Sequence, residues 1–196
     1  MFALAPSSPP IAPALAETQA LLDLAYADLG CPAPRLAGLA ADALPAVVRP
    51  RLDHIDGMTA ALARHAGGPV SVNVQARTRD RDAGADQLRR RVILAAHATG
   101  APLALGLLTV DLAALPPAVA AEALAEKTPF GTLLAEASLP FLSRPQAFFQ
   151  LTADVPLSGF LGGAAGEPLY GRLAYLALTR PDAERLVARV VEILRP

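Results

Sequence analysis

Hydrophobic residues recur at helical spacing in the first third of the chain. From Glu17 an apolar stripe of leucines and alanines runs as far as Gly30, where the glycine ends the pattern. The segment from Asp53 to His65 is rich in alanine and leucine, which favour helix. A shorter helix is predicted from Leu36 to Leu44. The first third is therefore predicted to be helical.

The period changes to two after these helices. From Val70 to Gln75 apolar and polar residues alternate, as a strand with one buried face requires. Two apolar runs follow, at 88–97 and 102–110, and the short glycine-bearing link 98–101 between them predicts a hairpin. The charged segment Arg77 to Gln87 is predicted to be a solvated turn.

The rest of the chain alternates between the two patterns. Helices are predicted over Asp111 to Glu126 and again from Pro129, and strands over Ala147 to Ala153 and Leu173 to Leu178. The glycine-rich segment Ser158 to Gly166 is predicted to be a loop. Helices followed by hairpins with intervening helices predict an α+β domain built on an antiparallel sheet.

The C-terminal segment Asp182 to Leu194 fits two patterns. Leu186, Val190 and Ile193 form a helical stripe, whereas the continuous apolar run also fits a strand. The pattern alone favours a helix.

Composition limits the classes of function. The chain has 17 basic and 18 acidic residues and a net charge of -1, so its overall charge would attract neither nucleic acid nor an acidic membrane surface. The single cysteine, Cys31, cannot form an internal disulfide, which fits a reducing cytoplasm. No apolar run approaches the ~18 residues of a membrane span. Residues 1–15 are expected to be a flexible leader, and residues 16–196 a single domain.

Common catalytic and cofactor motifs are absent from the sequence. There is no phosphate-binding loop, no paired-cysteine or HExxH motif, and no Gly-x-Ser-x-Gly turn. The three histidines, His54, His65 and His97, lie on different predicted elements without metal-ligand spacing. Neither a metal nor an organic cofactor is predicted.

Two charged residues stand out because they lie in apolar segments. Arg91 begins the run Arg91 to Leu94, where a guanidinium could hold a carboxylate in a two-pronged contact. Glu192 lies among valine, isoleucine and leucine. The alternatives are that Arg91 belongs to an exposed strand start and that Glu192 is an exposed helix glutamate.

Several short blocks, taken in order from about Asp53 to Pro196, resemble the chorismate lyase family. The blocks are Asp56–Thr59, Gly68–Val72, Arg91–Leu94, Gly100–Pro102, Thr109–Val110, Lys127–Gly131, Tyr170–Arg172 and Glu192–Pro196. The resemblance implies a six-stranded antiparallel sheet with helices and two flap-like segments around the ligand. It also implies that the segment around Glu192 is the last strand of the sheet.

The resemblance further implies an activity and its residues. The activity is the cofactor-independent conversion of chorismate to 4-hydroxybenzoate and pyruvate, which leads into ubiquinone synthesis. Arg91 would bind the ring carboxylate, and Glu192 would face the 4-hydroxyl and assist proton removal. Met58 and Phe130 would contact the ligand through their backbones. A register shift of one residue would place Arg90 on the site's face instead.

The same resemblance leaves other functions open. The fold is similar to effector-binding domains of bacterial transcription regulators, so a non-catalytic small-molecule sensor is the main alternative. The roughly 50 residues before the matched region are neither basic nor patterned as a helix-turn-helix. An enzyme that makes another hydroxybenzoate, or an inactive homologue, is a further alternative. We expect a monomer in the cytoplasm, with chorismate and 4-hydroxybenzoate as partners and neither nucleic-acid binding nor stable membrane insertion.

Overall fold

The structure is a computed structural model that describes residues 11–82, 85–179 and 183–196. The helices are α1 (Ile11–Tyr26), α2 (Arg49–Leu52), α3 (Met58–Ala66), α4 (Pro117–Ala125), α5 (Phe130–Glu136) and α6 (Val155–Leu161). The strands are β1 (Ala37–Leu39), β2 (Val70–Asp82), β3 (Ala85–Ala96), β4 (Pro102–Asp111), β5 (Phe141–Thr152), β6 (Pro168–Thr179) and β7 (Glu184–Leu194).

The strands form one antiparallel sheet in the order β1-β5-β6-β7-β4-β3-β2. The predicted α+β class and antiparallel sheet are confirmed. The sheet has seven strands in the described residues rather than the six expected, because β1 pairs with the edge of β5.

The short helix predicted over Leu36 to Leu44 is wrong. Strand β1 and a 3-10 turn at Ala41–Ala43 occupy that segment. The Leu36 amide donates to Gln19 Oε1 on α1 over 3.1 Å, and a Cβ on Gly38 would clash with Leu15 Cδ1. This close packing against α1 favours an extended segment with a glycine over a helix.

The turn predicted over Arg77 to Gln87 is also wrong. Strand β2 continues to Asp82 and β3 starts at Ala85, so the two strands form a long hairpin. Before Gln87, β3 pairs with β2 but not with β4, and this end of the hairpin is a two-stranded ribbon that is largely exposed. A ribbon open to water on both faces carries polar residues throughout, which gives it the composition of a loop.

The C-terminal segment is strand β7, as the resemblance implied and contrary to the helix that the pattern favoured. The start of the predicted segment, at 182, lies outside the described residues. Strand β7 lies between β4 and β6 and is buried on both faces, with Val190 on one side and Val191 on the other. Burial on both faces replaces the two-residue alternation with a continuous apolar run.

Helices cover both faces of the sheet. On one face, α1 and α6 pack on residues that include Phe149, Leu173 and Ile193. On the other face the helices build two separate apolar clusters. Helices α2 and α3 form one of them around Leu62 and Leu94, and α4 and α5 form the other around Leu134 and Leu176.

Several boundaries differ from the prediction, and helix α3 starts at Met58 rather than at Asp53. Helix α1 starts at Ile11, so residues 11–15 are helical, whereas residues 1–10 lie outside the described part of the chain. Helix α6 extends into the loop predicted over Ser158 to Gly166. None of the described helices is long and apolar enough to cross a membrane.

Candidate functional site

A row of side chains crosses the centre of the sheet between the two apolar clusters. Val92 on β3 pairs with Gly106 on β4, Gly106 pairs with Glu192 on β7, and Glu192 pairs with Arg172 on β6. Arg90 lies two residues before Val92 and therefore faces the same side. Two strand spacings and two residues of rise place the Cα atoms of Arg90 and Glu192 about 12 Å apart.

Val92, Gly106 and Glu192 of this row form the floor of a narrow cavity of about 40 Å³. Its lining contains three of the four predicted site residues, Met58, Phe130 and Glu192, together with Arg90. The remaining walls are mainly apolar and include Val92, Leu94, Leu108, Leu176 and Val190. The cavity thus holds a cationic and an anionic residue between hydrophobic walls.

Arg91 is not part of this cavity, contrary to the expectation that it shares a site with Glu192. It points to the opposite face, because successive side chains of a strand alternate. There its guanidinium donates to Ala25 O, at the end of α1, and forms two bonds of 2.8 and 2.9 Å with Asp28. The guanidinium also lies over the Phe160 ring, 5.2 Å from its centroid. Arg91 attaches α1 to β3 and borders a separate open groove of about 360 Å³.

Arg90 is buried, with 4% of its surface exposed, yet its hydrogen bonding is incomplete. Its Nη1 makes a long contact of 3.4 Å with Ala123 O on α4, and its Nε has no partner among the described residues. Burial lowers the pKa of the Arg90 guanidinium, and the nearby Glu126 opposes this shift. Within the described ranges no carboxylate forms an ion pair with it.

Glu192 has a direct partner, Arg172, which the sequence reasoning did not assign to the site. Arg172 Nε donates to Glu192 Oε2 over 2.5 Å, and both side chains are buried. Arg172 also donates to Leu52 O and His54 O, both over 2.8 Å, and to Ser143 Oγ over 3.2 Å. The sequence does contain a signal for Arg172 as a site residue, because Arg172 belongs to the block Tyr170–Arg172 that carries part of the family resemblance.

His54 lies in the connection between α2 and α3. Its Nδ1 is 2.8 Å from Asp56 O and its Nε2 is 2.9 Å from Arg51 O. Burial, followed by the charge of Arg172, lowers the pKa of the His54 imidazole below its usual value, although both carbonyls favour the protonated ring. His54 thus stabilises the connection between α2 and α3 through its contacts with the carbonyls of Arg51 and Asp56.

The start of α3 and the sheet beneath it leave room and free amides at the cavity. The N-cap residue, Gly57, provides no side-chain cap, and Met58 and Thr59 in the first turn line the cavity. Uncapped first-turn amides are suited to bind an anion. On the floor, Gly106 has no side chain, and a Cβ at this position would lie 3.1 Å from Val92 Cγ2.

The described residues contain no group of three His, Cys, Asp or Glu side chains that could hold a metal ion.

No protein-family model matches the chain, and no curated protein matches it either. Solved structures do match. A gene product of Staphylococcus aureus subsp. aureus N315 superposes with a TM-score of 0.52 at 9% identity, over 71% of this chain and 88% of that one.

The PhnF protein of Mycobacterium smegmatis gives similar matches. Its effector domain superposes with a TM-score of 0.51 at 15% identity, over 71% of this chain and 88% of that domain. The whole PhnF chain gives 0.50 at 15% identity, and the match spans 64% of its length. The chain therefore shares the α+β fold of these structures, an antiparallel sheet with helices.

Proposed function

We propose that the cavity binds a small organic carboxylate, with Arg90 as its counter-ion. The observation that carries the proposal is the incomplete bonding of the buried Arg90 guanidinium. A buried cation without a paired carboxylate is costly unless another anion completes it. A ligand carboxylate offers Arg90 two oxygens in the geometry that a guanidinium prefers.

The walls of the cavity favour a ligand whose central part is hydrophobic. Met58, Phe130 and Val92 present hydrophobic surface, which favours a ring or short hydrocarbon over a sugar. At the far end of the cavity, Glu192 Oε2 accepts a hydrogen bond from Arg172. Glu192 Oε1 has no hydrogen bond to any described residue. Oε1 can accept from a ligand hydroxyl. A hydroxylated aromatic carboxylate meets both ends.

The cavity must widen to admit such a ring. Its volume of about 40 Å³ compares with the roughly 150 Å³ of an engineered cavity that binds benzene. The first residues of α3 and α5, Met58 and Phe130, lie on its wall and belong to segments outside the sheet. Binding is expected to move these segments rather than the strands. The proposed function is that of a non-catalytic ligand-binding domain, and the similarity in fold to the effector domain of PhnF supports it.

Calorimetric titration with 4-hydroxybenzoate tests the proposal. The wild-type chain should bind, and Arg90→Gln should weaken binding at least tenfold. Arg89→Gln is the matched control, because Arg89 is the preceding residue, faces the other side and is partly exposed. Equal affinity in wild type and Arg90→Gln would exclude Arg90 as the counter-ion.

A second candidate, chorismate lyase activity, is favoured by the presence of Glu192 and Arg90 in one cavity. Arg90 would bind the ring carboxylate, the role that the resemblance assigns to Arg91. The C4 end of the substrate would then lie toward Glu192. Glu192 would accept the proton from C4 while the C3–O ether bond breaks. The departing enolpyruvate takes up a proton and becomes pyruvate, and the ring becomes aromatic.

Incubation of the purified protein with chorismate separates the two functions. Release of 4-hydroxybenzoate and pyruvate in equal amounts, lost in Glu192→Gln, would establish the lyase. Binding of 4-hydroxybenzoate without turnover would establish the ligand-binding function. Formation of 3-hydroxybenzoate would point to the related enzyme that makes another isomer.

A further inference from the structure

Glu126, outside the cavity lining, has an unusual backbone and an unsatisfied side chain. It ends α4 with a left-handed backbone, φ 60°, which is uncommon for a residue other than glycine. Its side chain is 15% exposed, and its buried Oε1 has no hydrogen-bond partner among the described residues. A buried carboxylate oxygen without a donor needs an explanation.

The contacts of Glu126 place it beside Arg90. Its Oε2 accepts from Arg77 Nη1 over 3.2 Å, and Arg77 is the cross-strand partner of Arg90. Arg90 in turn reaches Ala123 O, which lies one helical turn before Glu126. The buried Arg90 and the largely buried Glu126 each have an atom without a hydrogen-bond partner among the described residues, and they are neighbours without a direct hydrogen bond. The charge of Glu126 also raises the pKa of the Arg90 guanidinium against the effect of burial.

We propose that Glu126 is the internal counter-ion of Arg90, a charge that an incoming anion has to displace. The inference rests on the proposed function, because it concerns the carboxylate that Arg90 receives there. While Glu126 stays in place, its charge partly neutralises Arg90 and repels a ligand carboxylate in surroundings of low dielectric. Glu126 thereby determines which anions bind, because an anion with low affinity for Arg90 cannot take the place of the Glu126 charge.

The position of Glu126 also links anion binding to opening of the cavity. Residues 126–129 connect α4 to α5, and α5 starts with Phe130 on the cavity wall. Movement of the Glu126 side chain away from its place beside Arg90 would act on this connection, which leads to Phe130 on the cavity wall. The charge exchange and the widening of the cavity then occur in one movement.

This arrangement predicts an effect of unusual sign. Loss of the Glu126 charge should strengthen the binding of an anion, whereas loss of a residue that contacts the ligand weakens it. The apparent affinity of a site falls with the fraction of molecules in the competent state, so removal of the competitor should raise affinity about three- to tenfold.

The experiment compares Glu126→Gln with Glu122→Gln by calorimetric titration of 4-hydroxybenzoate. Glu122 is the matched control, because it lies on the same helix, is exposed and loses the same charge. Glu126→Gln should bind about three- to tenfold more tightly than wild type. Glu122→Gln should bind like wild type. Glu126→Gly, which suits the left-handed backbone, removes the charge in a second way and should give the same gain.

The outcomes separate this inference from the proposed function. If wild type binds and both Glu126 variants bind with equal or lower affinity, the counter-ion inference is overturned and the proposed function stands. If only the Glu126 variants bind, the inference is supported in its strongest form. If no variant binds, the proposed function and the inference both fail. An equal gain in Glu122→Gln would show a general charge effect and would overturn the inference.

Discussion

Arg172 and Glu192 form a buried ion pair across neighbouring strands, with 2.5 Å between Arg172 Nε and Glu192 Oε2. The remaining guanidinium nitrogens bind Leu52 O, His54 O and Ser143 Oγ. Arg172 therefore fixes the anionic end of the cavity and the connection that leads to α3. One buried side chain positions both the floor and part of the wall of the site.

Replacement of Arg172 should destabilise the fold strongly. Arg172→Met leaves Glu192 as an uncompensated buried charge and three acceptors without their donor, so the free energy of unfolding should fall by about 3–5 kcal/mol. Urea denaturation measures the loss. The double variant Arg172→Met with Glu192→Leu should recover part of it, since no buried charge is then left alone. A double variant that is no more stable than Arg172→Met would contradict this account.

Replacement of Arg91 should lower stability without changing ligand affinity, whereas replacement of the adjacent Arg90 should lower ligand affinity. Arg91→Gln loses the bonds to Ala25 O and Asp28, and should lower the free energy of unfolding by about 1–2 kcal/mol, a value kept small because Asp28 is half exposed. Its affinity for 4-hydroxybenzoate should stay at the wild-type value. Denaturation and titration on both variants check this, and a loss of affinity in Arg91→Gln would contradict the assignment of its face.

The stability of the protein should depend on pH through His54. The lowered pKa means that the folded state favours the neutral ring, whereas the unfolded chain takes up a proton near the usual value of 6.5. The contribution is present above pH 6.5 and is lost as the pH falls toward the folded-state pKa. Wild type should lose more stability than His54→Asn between pH 7.5 and 5.5. Parallel losses in the two proteins would contradict the prediction.

Gly106→Ala should reduce ligand binding without harm to the fold. A Cβ on Gly106 would lie 3.1 Å from Val92 Cγ2 and would occupy the cavity floor between Arg90 and Glu192. One added methyl in a tight apolar site costs about 1–3 kcal/mol of binding, so affinity for 4-hydroxybenzoate should fall about tenfold or more. The free energy of unfolding should change by less than about 1 kcal/mol.

Gly159→Ala serves as the control for that variant. Gly159 lies in α6, and no atom beyond its chain neighbours and the backbone of its own helix lies within 4 Å of the position that its Cβ would take. Its affinity for 4-hydroxybenzoate should equal that of wild type. Isothermal titration of both alanine variants makes the comparison, and an unchanged affinity in Gly106→Ala would show that the ligand lies elsewhere.

The sequence by itself determined the elements whose patterns are local. The alternation that starts at Val70, the hairpin around 98–101 and the helix before Gly67 follow from neighbouring residues, and the structure contains all three. The sequence at the ends of β2 and β3 predicts a turn and not strands, because a ribbon exposed on both faces has no apolar period. Strand β7 was recognised through the family resemblance, since burial on both faces removed the alternation.

The composition of the site was decided by tertiary structure. Arg90 and Arg91 are equivalent in the sequence, and the register of β3 in the sheet alone selects which of them faces Glu192, because a shift of one residue exchanges the two faces. The pairing of Arg172 with Glu192 joins residues 20 positions apart through the register of β6 and β7. The sequence supplied the charged residues, and long-range strand pairing determined which of them meet.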